Sequence, residues 1–231
     1  MSHTSSNKRI VALIPAHNEE ERIIATVNAV RSLPDIAECI VIDDASSDNT
    51  AQLAADCGAR VIRLQRNVGK GAALNKGASY CENADIVVLL DGDLGSSAKQ
   101  ADLLIEPLIK GDADMSIARF PRPTGKAGFG LVKNMARKQI AAMGNGFDAQ
   151  APLSGQRAIT RECLDAILPF SSGYGVEVGL TIRALRKGFR LVEVETTMSH
   201  AATGRDLAGF MHRGKQFAHV WLALMKLRFE K

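Results

Sequence analysis

Apolar and polar positions along the chain fall into two alternating rhythms. The segments RIVALIPA (9–16), ECIVIDDAS (38–46), RVIRLQ (60–65) and ADIVVLLDG (84–92) are short, apolar and rich in β-branched residues. Such runs predict strands covered on both faces of a sheet. Between them lie EEERIIATVNAVRSL (19–33), DNTAQLAADCG (48–58) and KGAALNKGASYC (70–81). The first of these carries Ile23, Ile24, Val27 and Val30 at helical spacing, and the second opens at Ser47 or Asp48 as cap and closes at Gly58. Strand–helix alternation with connections this short predicts a parallel sheet with helices on both faces. In such sheets ligands bind outside the carboxyl ends of the strands.

The second half is less regular. QADLLIEPLIKG (100–111) reads as a helix, ADMSIARF (113–120) as a strand, and LVKNMARKQIAAMG (131–144) as a helix after the basic, Pro/Gly-rich loop PRPTGKAGFG (121–130). SGQRAIT (154–160) is a short strand, GVEVGLTIRALRKG (175–188) a helix closed by Gly188, and RLVEVETTM (190–198) a final strand. The segment from Arg205 to Glu230 predicts a long C-terminal helix, with Gly214 as the place for a bend. The expected fold is therefore α/β: a Rossmann-like, mostly parallel central sheet flanked by helices. With no repeat, linker or low-complexity tract, residues 9–231 read as a single domain behind a disordered polar N-terminus, 1–8.

Composition narrows the function classes. At 46% apolar and 23% charged over 231 residues, the chain has the balance of a soluble globular domain. Aromatics make up only 5%, too few for the stacking platforms that bind single-stranded nucleic acid, so no nucleic-acid partner is expected. Cys39, Cys57, Cys81 and Cys163 are far apart, lack metal-ligand spacing and read as reduced core residues. The first nine residues lack a signal-peptide apolar core, and no run reaches the roughly 18 apolar residues of a membrane span; a cytoplasmic protein is expected. The charge is uneven: His200 to Lys231 holds six Lys or Arg against two Asp or Glu, while the rest balances. An anion would meet this tail first.

The candidate chemistry sits at strand ends. The first strand runs into Pro15-Ala16-His17-Asn18-Glu19, the second into Asp43-Asp44, the third into Asn67-Val68-Gly69-Lys70-Gly71, and the fourth into Asp91-Gly92-Asp93. All four ends fall on one rim of a parallel sheet. Glu19 and Asp43 suit sugar hydroxyls or a base N–H. Lys70 at a helix start suits an anion, although GxxxxGK[ST] is absent. Asp91 and Asp93 repel each other unless both are solvated or a cation lies between them. A hard divalent cation bridging to phosphate oxygens would satisfy them, which makes this a metal and diphosphate site.

VALIPAHNEEERI, IVIDDASSDNT, NVGKGAALNKG and VVLLDGD, in this order and spacing, resemble the nucleotide-binding half of family 2-like glycosyltransferases with the GT-A fold. The resemblance is strong over about residues 9–100, the nucleotide-binding half, and continues more loosely to about 215, within the acceptor-binding half, 101–231. It implies a nucleoside-diphosphate-sugar donor, UDP-sugar favoured, and Mg²⁺ or Mn²⁺. It assigns Pro15, Ala16, Glu19, Asp43, Lys70 and Asp91 to the nucleotide and Asp93 to the metal. LSGQRAITRECLDAI and RALRKGFRLVEVETT resemble dolichyl- and polyprenyl-phosphate sugar transferases. Gly173-Tyr174-Gly175-Val176-Glu177-Val178-Gly179 resembles glucosyl-3-phosphoglycerate synthase, which implies that Glu177 holds sugar hydroxyls and that His200 is a second metal ligand. The Gln/Arg-x-x-Arg-Trp motif of processive synthases is absent, the sole Trp221 lying in the C-terminal helix.

The acceptor is expected to be a phosphate, bound by Ser154, Gly155, Arg119, Lys126 and Arg205 within a basic surround that includes Arg122, His212, Arg213 and Lys215. Two placements stay open for the C-terminal helix: against the body or a dimer partner, or peripherally on a membrane. The alternatives to a transferase are a sugar nucleotidyltransferase, disfavoured because IPAHNEEER lacks a Gly-rich Arg loop, and a non-catalytic nucleotide-sugar-binding protein docking at a membrane or partner.

Overall fold

The computed structural model describes residues 8–121, 130–171 and 175–199. Seven strands, β1 (Ile10–Ala16), β2 (Ile36–Asp43), β3 (Arg60–Arg63), β4 (Ile86–Leu89), β5 (Met115–Arg119), β6 (Arg157–Thr160) and β7 (Leu191–Glu195), form one sheet in the order β3-β2-β1-β4-β6-β5-β7. β6 runs antiparallel to its neighbours β4 and β5; the other pairings are parallel. The helices are α1 (Ile23–Arg31), α2 (Thr50–Asp56), α3 (Lys70–Ala78), α4 (Ala101–Ile109), α5 (Gly130–Met143), α6 (Arg161–Ile167) and α7 (Val176–Arg186), with a 3₁₀ turn, Gly95–Gln100, leading into α4.

Alternation along the central strands divides the core, because successive side chains on a strand point to opposite faces. Ile10, Ala12, Ile14, Val41, Ile86 and Val88 pack against Ile23, Val27 and Val30 of α1 and Leu104, Ile105 and Leu108 of α4. Val11, Leu13, Ile40, Ile42, Val87 and Leu89 meet Leu74 of α3, Leu164 of α6 and Leu180 of α7 on the opposite face. A smaller cluster, Ala136, Ile140, Val178 and Ile182, joins α5 to α7. Both faces of β1 and β4 are therefore dry, as their unbroken apolar runs predict, and the polar residues along these two strands come after their apolar runs.

Nearly every predicted element forms, and Gly58 and Gly188 follow α2 and α7 at φ +80° and +82°. Asp48 does the capping expected of Ser47 or Asp48: Thr50 N–H donates to its Oδ1 at 3.0 Å, although Asn49 is the residue immediately before α2. The helix α6 and the reversed direction of β6 have no counterpart in the sequence reading. The C-terminal helix expected over 205–230 lies outside the described residues, as do most of the basic loop and the N-terminus. Cys39, Cys81 and Cys163 are buried and burial pushes their thiols up, to about 12, 11 and 12; Cys57 is only half-buried, and no cysteine is disulfide-bonded.

Candidate active site

The parallel register brings the strand ends together. Ala16 at the end of β1 lies opposite Asp43 at the end of β2, and Asp44 N–H donates to Ala16 O at 2.8 Å. Asp43 is fully buried and pairs with Arg63 Nε at 3.2 Å. Asp44 accepts the N–H groups of Val68 and Gly69, both at 2.8 Å, so a buried carboxylate pins the loop after β3 and fixes where α3 begins. Lys70, the first residue of α3, is thereby aimed across the sheet edge. On the other side of β1, Thr26 of α1 donates to Gly92 O and accepts from Gly95 N–H, both at 2.8 Å. That hydroxyl ties the Asp91-Gly92-Asp93 turn to α1, and the Glu19 N–H is in turn held by Thr50 Oγ1 at 2.7 Å.

At the centre Lys70 Nζ lies 2.7 Å from Asp91 Oδ1 and 3.1 Å from Glu177 Oε1. Burial works against the Lys70 ammonium, but the charges of Asp91 and Glu177 outweigh it and hold its pKa above the usual lysine value. Gly155 lies against this triad: a Cβ there would sit 2.4 Å from Lys70 Nζ, 3.4 Å from Asp91 Oδ2 and 3.5 Å from Glu177 Oε1. Two buried residues behind Gly155 complete the arrangement. Gln156 accepts the Asp91 N–H at 2.9 Å and donates from Nε2 to Asp91 Oδ2 at 2.6 Å. Arg157, wholly buried, donates to Ser154 O (3.0 Å), Thr181 Oγ1 (2.9 Å) and Glu177 O (2.9 Å), which fixes the first turn of α7 and hence Glu177. Burial lowers the Arg157 pKa to about 10, which leaves the guanidinium charged.

Glu19 reports the electrostatic state of the rim. Burial, then the charges of Asp93 and Asp91, push its carboxyl up to about 7 from an ordinary value of 4.5, with Arg22 pulling the other way. The Asp93 and Asp91 charges thus reach Glu19, and the carboxylate oxygens gathered on this side of the rim are a donor set that fits a hard divalent cation. Among the described residues no three His, Cys, Asp or Glu form a complete metal cage.

Of the residues singled out from sequence, Pro15, Ala16, Glu19, Asp43, Lys70, Asp91, Asp93, Gly155 and Glu177 converge on this rim. Ser154 is buried beside it, and among the described residues its hydroxyl has no hydrogen-bond partner. Arg119, at the end of β5, has its guanidinium paired with Glu195 in an exposed ion pair. Lys126, His200 and Arg205, with Arg122, His212, Arg213 and Lys215, lie outside the described residues. Thr26, Gln156 and Arg157 escaped the sequence reading. A polar pair opening a short apolar strand, Gln156-Arg157 before Ala158-Ile159, was the available signal.

The family model described as Glycosyl transferase family 2 matches residues 11–164. Glycosyltransferase AglJ of Haloferax volcanii is 32% identical over 199 residues, covering 85% of this chain; the chain spans 65% of AglJ, under two thirds of its length. The undecaprenyl-phosphate mannosyltransferase of Micrococcus luteus is 27% identical over 211 residues, 86% of each chain. Among solved structures, glucosyl-3-phosphoglycerate synthase from Mycobacterium tuberculosis, in complex with Mn²⁺, uridine diphosphate and phosphoglyceric acid, superposes with a TM-score of 0.82 at 28% identity, over 98% of this chain and 81% of that one. The mostly parallel seven-stranded sheet flanked by helices is the GT-A fold of that enzyme.

Proposed function

This chain belongs to glycosyl transferase family 2, and from that premise we propose that it moves a hexose from a UDP-sugar to a phosphorylated acceptor, 3-phosphoglycerate-like or a polyprenyl phosphate. The observation that carries the proposal is the Lys70 bridge between Asp91 and Glu177 beside Gly155, at the rim where the strands end. A cation held there by two carboxylates is pre-positioned for a diphosphate, and it links the residue proposed to hold the nucleotide to the one proposed to hold the sugar. Electrostatic groups fixed in advance of reaction stabilise developing charge without reorganising.

In this reading Pro15, Ala16, Glu19, Asp43, Lys70 and Asp91 bind the nucleotide within the 9–100 half. Glu177 orients the hexose through its hydroxyls, and Ser154, Gly155, Arg119, Lys126 and Arg205 bind the acceptor within the 101–231 half. The Ser154 hydroxyl, unpartnered among the described residues, supports a ligand contact at that point, since a buried hydroxyl without a partner costs about 1–3 kcal/mol. Asp93, with His200, is the proposed holder of Mg²⁺ or Mn²⁺, for which the support is the carboxylate oxygens gathered there, whose charges add to burial in raising Glu19. When bound, such an ion neutralises charge on the leaving diphosphate. The similarity to the Mycobacterium tuberculosis synthase favours a phosphoglycerate-like acceptor, and the even coverage of the Micrococcus luteus mannosyltransferase favours a polyprenyl phosphate, with peripheral membrane contact.

The test is release of UDP from UDP-hexose with Mn²⁺, with 3-phosphoglycerate or a short polyprenyl phosphate as acceptor. Acceptor-dependent release that disappears in Asp93→Ala is expected. Full activity in that variant would remove Asp93 from the metal site, and absence of both transfer and donor hydrolysis would remove the transferase reading.

A further inference from the structure

We propose that Gln156 is a positioning residue that sets the Asp91 carboxylate for Lys70 and the nucleotide, a role that rests on the reading of Asp91 above. The geometry is specific. One carboxamide grips both ends of a single residue: its oxygen takes the Asp91 N–H at 2.9 Å and its nitrogen donates to Asp91 Oδ2 at 2.6 Å. With Oδ2 so occupied, Oδ1 is the oxygen turned to Lys70 Nζ at 2.7 Å. Hydrogen bonds to a charged acceptor are the stronger class, and a donor with both ends fixed restricts the carboxylate rotamer. β4 ends at Leu89, so Asp91 lies beyond the last paired residue of its strand and needs such support from a neighbour.

Gln156 is itself immobilised, as a positioning group must be. It is fully buried, its carbonyl accepts the Ala118 N–H of β5 at 2.9 Å, and the next residue is Arg157 with its three oxygen acceptors. The same dipeptide therefore fixes Asp91 through Gln156 and the Glu177 turn through Arg157, and Lys70 spans the two fixed points. This gives the antiparallel strand β6 a purpose: inserted between β4 and β5, it enters the sheet at the rim and delivers both side chains there. Gln156 donates to the ligand-binding residue and touches no reacting atom.

The test compares wild type with Gln156→Leu, which removes both bonds, and Gln156→Asn, which keeps the amide but is one methylene too short to reach. The first readout needs no nucleotide. A third of the Lys70 side chain is exposed, so its acetylation rate under limiting acetic anhydride, measured by peptide mass spectrometry against the exposed Lys187, reports how firmly Asp91 holds it. The second is calorimetric affinity for UDP with Mn²⁺, with thermal melting run in parallel. Both variants are expected to melt within a few degrees of wild type, to acetylate Lys70 several-fold faster, and to bind UDP about ten- to a hundredfold more weakly, the range for a lost bond to a charged group. Unchanged Lys70 labelling in a folded variant overturns the inference, as does a UDP affinity that follows only the loss of stability. If wild type itself binds no UDP, the nucleotide reading fails while the labelling still decides what Gln156 does.

Discussion

Lys70 is where the charges of the rim are settled, and removing it exposes what it balances. Lys70→Met leaves Asp91 and Glu177 facing one another without a counter-charge. The cost should be about 1–3 kcal/mol near neutral pH, below the figure for a fully buried pair because a third of the Lys70 side chain is exposed. Chemical denaturation near neutral pH would detect it. Gly155→Ala makes a complementary prediction. The added Cβ would lie 2.4 Å from Lys70 Nζ, the far end of a flexible side chain, so the lysine moves and the fold survives. Melting should change little while UDP affinity falls; a variant that binds as tightly as wild type would show that the triad is not the nucleotide's contact.

Glu19 carries the pH prediction. Its carboxyl titrates near 7 in the fold against 4.5 ordinarily, so between these values the folded chain keeps a proton that the unfolded chain has released. Stability of the metal-free protein is therefore expected to fall as pH rises through that window, and Glu19→Gln should flatten the slope. A melting profile independent of Glu19 between pH 5 and 7 would contradict this. Lys70, Asp91 and Glu19 were legible in the sequence because each stands where an apolar run breaks off. Gln156 was not: the polar pair before Ala158-Ile159 was the one local signal, and nothing in it points to a partner 65 residues away.

At the scale of elements, the turn that carries both aspartates hangs on α1. Thr26 is fully buried and bonds Gly92 O and Gly95 N–H with one hydroxyl. Thr26→Val keeps the shape but strands both backbone groups, which should cost about 1–3 kcal/mol and loosen Asp93; an unchanged denaturation midpoint would show that another group compensates. The strand–helix units of the first half were readable because each is a long enough run for its period to show. β6 and α6 were less so. β6 has only four paired residues, and nothing in Arg157–Thr160 reveals that it runs backwards. α6 follows it without a gap, starting at Arg161 and capped by Thr160, so no turn residue separates them.

Across the whole molecule, the two apolar faces of β1 and β4 hold the sheet rigid so that its edge can be polar. Leu13 is fully buried between the sheet and α3. Leu13→Ala should lower stability by about 2–5 kcal/mol without altering nucleotide affinity per folded molecule, which would separate scaffold from site. Sequence pattern captured the scaffold, because burial on both faces dictates apolar runs. It captured less of the acceptor half, where side-chain contacts between distant segments set the geometry. The central claim is that this rim binds a uridine diphosphate with a divalent cation. Calorimetric titration with UDP and with GDP, each with and without Mn²⁺, tests it most directly. UDP binding that Mn²⁺ strengthens, with GDP weaker and the metal effect lost in Asp93→Asn, is the predicted result; folded protein that binds neither nucleotide, or binds both without regard to metal, would contradict it.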